Sequence, residues 1–247
     1  MKPRLTFSIA IKKIAGYVRW SGAAAAVVLM AGCATGPNAN PADPFEPFNR
    51  SISRFNDGVD EAVLIPAATA YRNVLPSPVR TGVNNFFGNL GDVWSFANSV
   101  MQLRLQNSAE TFMRVNVNTL FGLGGLLDIA TEAGIDRHKE DFGQTLGRWG
   151  VPSGPYLVLP VLGPSTVRDA AALPIDSKGD LVWAVHDVPV RNSMYVLRVV
   201  DMRSNFLRAS QLLGDAALDK YSFTRDVFLQ RRANDIYNGD PPGEGGQ

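Results

Sequence analysis

The sequence predicts a single all-α, mostly helical domain, and three observations carry that expectation. Apolar residues recur at steps of three and four over long stretches, which is the signature of one helix face. No series of short alternating segments at regular spacing occurs, and no repeat at solenoid periods, so a sandwich and a repeat array are both disfavoured. At 247 residues and 45% hydrophobic content, the chain leaves room for one domain of about 200 residues with a sizeable core.

The first element is a leader. Lys2, Arg4, Lys12, Lys13 and Arg19 precede the apolar run Ala23 to Ala31, which is too short to span a bilayer and has the layout of an export signal. The run ends in Leu29-Met30-Ala31-Gly32-Cys33, which resembles the lipobox of bacterial lipoproteins. Cys33 is the only cysteine in the chain, so it has no internal disulfide partner, whereas acylation at a mature N-terminus needs one thiol there. The resemblance implies removal of residues 1–32, a lipid on Cys33, and, with Ala34 rather than an aspartate next, an outer-membrane anchor with the body in the periplasm. Residues 33–42 read as a lipidated tether, 43–238 as the folded domain and 239–247 as a disordered tail.

The chain has 24 Lys and Arg against 23 Asp and Glu. The leader holds five of the basic residues and none of the acidic, so the remainder has 19 against 23, a net charge of −4. A mildly acidic body without a basic block gives no basis for nucleic-acid binding, which rests on neutralising phosphates.

From Val93 to Gln106, Trp94, Ala97, Val100 and Met101 share one helical face and Asn98, Ser99, Gln102 and Gln106 the other. Phe112 to Phe121 alternates like a strand at Val115-Asn116-Val117-Asn118, but Met113, Val117 and Leu120 also fit a helix, the reading adopted. Leu120 to Ala130 is apolar and glycine-rich, with Asp128 its only charge. Two readings stay open: a corner buried in the core with glycines letting backbones approach, or an element facing lipid. Tyr195, Val199, Met202, Phe206, Ala209 and Leu213 form one stripe, with Gly214 a stop signal. A last helix is expected from about Ser222 to Tyr237, with Val227, Phe228 and Ile236 buried and Arg225, Arg231 and Arg232 solvated.

Catalytic chemistry is thin, which argues against an enzyme. The only histidines are His138, in the charged run Asp136 to Asp141, and His186. That run reads as a solvated loop rather than a metal site, because Arg137 and Lys139 interleave with the would-be ligands. No nucleophile elbow and no phosphate-binding loop occurs, and Gly122-x-Gly124-Gly125 lacks the third glycine of a dinucleotide fingerprint. A lipid hydrolase would need a histidine beside a serine and a carboxylate in one pocket.

Several ordered motifs together resemble the VacJ/MlaA family of outer-membrane lipoproteins. They include Asp43-Pro44-Phe45-Glu46-Pro47-Phe48-Asn49-Arg50 followed by Phe55-Asn56; Asn84-Asn85-Phe86-Phe87-Gly88-Asn89-Leu90; Arg114 to Thr119 with Gly122, Gly124, Gly125 and Asp128-Ile129-Ala130; and Phe142 to Gly147 running on through Gly154-Pro155-Tyr156 to Arg168-Asp169. The resemblance covers about Asp43 to Tyr237. It implies a ring-shaped helical domain lying in the periplasmic leaflet of the outer membrane, with an amphipathic channel. Such a protein takes misplaced phospholipids from the outer leaflet and passes them to a soluble periplasmic carrier, with a trimeric porin as partner and no cofactor. A porin-associated lipoprotein without transport activity is the alternative.

Channel or lipid-contact candidates are Phe55, Asn56, Phe86, Phe87, Trp94, Asn98 and Arg191, the last as a headgroup contact; for each asparagine a cap or turn is the plainer role. Arg168-Asp169 reads as a structural ion pair. Loop or hinge candidates are Gly122, Gly124, Gly125, Gly150 and Gly154, the last two because Gly150 to Tyr156 aligns with a family hairpin loop at the channel. Pro152 stiffens that loop where relatives commonly have glycine.

Overall fold

Prolines and carboxylates set most of the element boundaries. The structure, a computed structural model, describes residues 40–216 and 218–239. The leader, Cys33, most of the tether and the tail from residue 240 lie outside the described residues. Helix α1 (Glu46–Val59) passes through a π turn (Asp60–Leu64) into α2 (Ile65–Val74). Pro66 cannot donate to the carbonyl four residues back, and the widened turn falls immediately before it. Leu75 is extended, at φ −96° and ψ 130°, as expected before Pro76, and ends α2.

Helix α3 (Ser77–Met101) is followed by a turn with Leu103 at φ 57°, and then α4 (Leu105–Leu120) packs back along it. The single helix expected over 93–106 is thus two helices meeting at that turn. A glycine-rich corner leads to the short α5 (Ile129–Glu132), and the charged run leads to α6 (Phe142–Arg148). A hairpin follows: β1 (Tyr156–Leu159) pairs antiparallel with β2 (Gly163–Thr166), Tyr156 opposite Thr166 and Leu159 opposite Gly163. Helix α7 (Val167–Gly179), a 3₁₀ turn (Leu181–Ala184), α8 (Val188–Ala216) and α9 (Lys220–Tyr237) complete the described chain. The hairpin therefore comes after the Gly150–Tyr156 loop, which is its approach and not the hairpin itself.

Side-chain oxygens cap the later helices. Asp128, Asp141, Thr166 and Asp219 each accept the backbone N–H two or three residues into α5, α6, α7 and α9. Helix α9 ends on Asn238 in the left-handed region. Helix α8 packs on α2 and α3 and runs two residues past Gly214, while α9 packs on α6 and β2.

The apolar core is small. Tyr156, Val158 and Tyr221 form its centre, with Ile52, Phe228 and Leu229 packed against it. The chain enters here: the Tyr156 N–H donates to the Ala42 carbonyl at 3.0 Å, and the Tyr221 hydroxyl donates to the buried Asp43 at 2.5 Å. Asn49 locks the same point, donating to Asp43 and to the Tyr156 carbonyl and accepting from the Val158 N–H. Of the three arginines expected in solvent on α9, only Arg231 is there. Arg225 is buried against Asp43, and Arg232 bridges Asp141 and Asp169, because buried carboxylates on other elements require them. Ile236 is buried as expected and Phe228 partly so, while Val227 is exposed.

Candidate functional site

Burial in this chain runs opposite to the rule for water-soluble domains. Among the described residues nine hydrophobic side chains are buried against twenty-four polar or charged ones. Phe112, Leu120, Phe121, Leu123, Phe206 and many other large apolar residues are exposed. Long charged and amide side chains are almost never fully buried unless paired, so this interior needs a specific account.

The α3–α4 pair shows the inversion. Of the polar face expected over 93–106, Asn98, Ser99 and Gln102 are inside and Gln106 is exposed; Ser95 of α3 and Asn107, Ser108, Thr111, Arg114 and Asn118 of α4 are also buried, while Val100, Phe112 and Met113 face out. On α8 the same holds. Val199, Met202 and Phe206 of the apolar stripe are exposed, and Asp201 and Ser204 are buried. Asp201 accepts from Tyr71 of α2 and Asn84 of α3, and burial together with this bond pushes the Tyr71 phenol up to about 12. Small polar residues at closely packed helix faces, with apolar residues outward, are the pattern of helices packed in lipid.

Two charge clusters hold the interior. In the first, Asp128 accepts two bonds from Arg114 at 2.8 Å, one from Asn118 at 2.9 Å and one from the Thr131 hydroxyl at 2.7 Å. Burial would raise the Asp128 carboxyl, but the bonds from Thr131 and Asn118 and the Arg114 charge outweigh it and bring it down to about 2. Asp92 joins this cluster through Arg114, whose Nε lies 3.8 Å away, and pairs more closely with Arg137, at 2.8 Å. In the second, Glu140 accepts from Arg104 and Gln102, Thr145 donates to Asn98, and Arg232 holds Asp141 and Asp169. The run Asp136 to Asp141 is thus not a plain solvated loop: Arg137, Glu140 and Asp141 anchor it inward.

The sequence-chosen residues fall at separate places. Phe55 is exposed, whereas Asn56 clamps the hairpin turn, donating to the Leu159 carbonyl at 2.9 Å and accepting from the Val161 N–H at 2.7 Å. Phe86 and Phe87 meet edge-on at 5.4 Å, with Phe87 buried. Trp94 donates to Asp176 of α7 at 2.8 Å, and Asn98 bonds the Trp94 carbonyl one turn back. Arg191 lies over the Trp183 ring at 5.1 Å and makes no ion pair among the described residues. Neither Asn56 nor Asn98 caps a helix. Arg168 and Asp169 do form the expected ion pair, at 3.0 Å.

Gly122, Gly124 and Gly125 lie in the corner after α4, whose Leu120, Phe121, Leu123, Leu126 and Leu127 are all exposed. The buried-corner reading fails for these leucines. The glycine packing it invoked survives at Gly125, φ 94°, where a Cβ would come within 2.7 Å of Asn89. Gly150 and Gly154 have φ of 90° and 66°.

Among the described residues no histidine hydrogen-bonds a serine. His138 bonds Glu110 at 2.5 Å and no serine, and the described residues contain no cluster of three or more metal-ligating side chains. No helix among them is long and apolar enough to cross a membrane. One cavity of about 600 Å³ opens between the Arg137–Gln144 segment and α9.

Comparison with known proteins agrees with the motif reading. The family description "MlaA lipoprotein" matches residues 41–235. Relatives named intermembrane phospholipid transport system lipoprotein MlaA occur in Shigella flexneri and Haemophilus influenzae. The first is 32% identical over 226 residues, covering 87% of each chain; the second is 33% identical over 220 residues, covering 84% of this chain and 87% of its own. A solved structure from work on the structural basis for maintenance of bacterial outer membrane lipid asymmetry superposes with a TM-score of 0.68 at 32% identity, over 80% of this chain and 99% of that one. An ordered motif set, a helical architecture and matches over most of the length all point the same way: the chain belongs to the MlaA lipoprotein family.

Proposed function

We propose that this chain is an outer-membrane lipoprotein, cleaved before Cys33 and acylated there, that moves misplaced phospholipid out of the outer leaflet and so maintains lipid asymmetry. The observation that carries the reading is the inverted burial: polar groups inside and apolar groups outside, in a chain with no spanning helix among its described residues. That arrangement suits a domain lying within one leaflet, where the exterior meets acyl chains and the interior can offer a polar route to a headgroup. The names of the relatives support the same substrate.

In this reading the domain is a ring around an amphipathic channel. The lipid passes through it to a soluble periplasmic carrier, and a trimeric porin holds the assembly in the membrane. Asn56 and the hairpin lie at its mouth, Trp94 contributes to its wall with the buried Asn98 bracing it from behind, and Arg191 contacts a phosphate. The channel performs no bond-breaking step and uses no cofactor.

Deleting the gene and assaying surface-exposed phospholipid tests the reading. Surface phospholipid should rise in the deletion strain, return to normal with the wild-type gene, and stay raised with Cys33→Ala. Normal surface phospholipid in the deletion strain, with the porin still co-purifying with the wild-type protein, would replace transport by a purely structural role.

A further inference from the structure

The 600 Å³ cavity between the Arg137–Gln144 segment and α9 is within the range of small-molecule sites, and the channel reading does not use it. Its walls are crowded with charge, so the informative groups are those left over once internal pairs are taken out. Arg137 is committed to Asp92, Glu140 to Arg104, and Arg232 to Asp141 and Asp169. Those pairs are short, and each has at least one well-buried member, so they hold the walls rather than await a ligand.

Three charged groups remain. Lys139 forms no ion pair among the described residues. Arg231 has a side chain 74% exposed and reaches Asp235 only at 3.8 Å, a contact that water screens almost completely. Asp235 is therefore also available. One aromatic ring, Phe228, supplies the apolar part of the wall. The free set is thus two cations, one carboxylate and a ring.

We infer that this cavity binds a phosphodiester headgroup bearing an ammonium, with the phosphate on Lys139 and Arg231, the ammonium on Asp235 and the glycerol end against Phe228. An arginine fork and a lysine together suit phosphate oxygens, the first by paired bonds and the second as a point charge. The adjacent carboxylate would repel a simple anion but complements a zwitterion, which is the discriminating feature. The choice of a phospholipid over a free glycerophosphodiester rests on the proposed function, and the two sources share the same recognised group.

Binding to the purified full-length lipoprotein in non-ionic detergent tests the site. The probes are dihexanoyl phosphatidylethanolamine, dihexanoyl phosphatidylglycerol, glycerophosphoethanolamine and inorganic phosphate. Lys139→Ala with Arg231→Ala should weaken the ethanolamine lipid at least tenfold, Arg231→Lys should weaken it less than Arg231→Ala because the charge stays while the paired bonds go, and Asp235→Asn should weaken the ethanolamine lipid but not the glycerol one. Circular dichroism of each variant should match wild type, since Lys139 and Arg231 are exposed. If the double variant binds the ethanolamine lipid as wild type does, the site is wrong while lipid handling stands. If glycerophosphoethanolamine binds as tightly as the lipid and the double variant loses both, the site stands and its ligand is the free headgroup. Equal binding of inorganic phosphate, indifferent to Asp235→Asn, would overturn the zwitterion assignment.

Discussion

Asp128 is the one charge in an eleven-residue apolar stretch, and it serves two purposes: it caps α5 and it receives Arg114 from the middle of α4. Removing Arg114 would leave Asp128 without its cation in a poorly hydrated interior, while Asp92 keeps Arg137, so Arg114→Ala should destabilise the fold by about 3–5 kcal/mol. Urea unfolding in detergent measures this, and a loss below about 1 kcal/mol would contradict the assignment. The same carboxylate makes a pH prediction. Its folded-state value, about 2, lies below the ordinary aspartate range. Its contribution, on the order of 2 kcal/mol, is therefore complete above pH ~4 and is lost as pH falls towards 2; Asp128→Asn should remove that component of an acid titration. The sequence marked Asp128 as isolated but gave no pointer to Arg114, because a helical polar face looks the same whether it meets water or a buried carboxylate. Arg225 and Arg232 were misplaced in solvent for the same reason.

Helix positions were legible because a period of 3.6 is a property of the chain alone, and the elements over 93–101, 112–120, 195–213 and 222–237 follow their stripes. Which stripe faces inward is a property of the surrounding medium, and there the aqueous expectation fails on α3, α4 and α8. The break at Leu103 was hidden by a continuous apolar pattern across it. The hairpin was missed because strands of four residues, Tyr156–Leu159 and Gly163–Thr166, are too short to show alternation. Gly154 leads into it with φ 66°, a backbone setting proline cannot take, and even a methyl group there would meet Val167 at 3.1 Å. Gly154→Pro should thus disorder the hairpin approach rather than lock it, seen as loss of hydrogen-exchange protection at Tyr156 and Val158. Unchanged protection would mean that the loop tolerates a different backbone.

Taken whole, the molecule exposes large apolar side chains on nearly every helix, and exposed apolar surface on that scale marks a surface that meets a membrane or a partner. The corner Leu120, Phe121 and Leu123 is more than two-thirds exposed at each side chain. Replacing all three by serine should cost little folding stability, since nothing is uncovered inside. It should weaken partitioning of a Cys33→Ala chain onto phospholipid vesicles roughly a hundredfold, at on the order of 1 kcal/mol per side chain. Vesicle flotation measures it, and equal flotation would place the membrane-facing surface elsewhere. The entry point of the domain has a mechanical meaning as well. A pull on the chain upstream of Ala42 would load the Ala42–Tyr156 bond and the Asp43 carboxylate together, so tension would be shared at once among the hairpin, α9 and, through Asn49, α1.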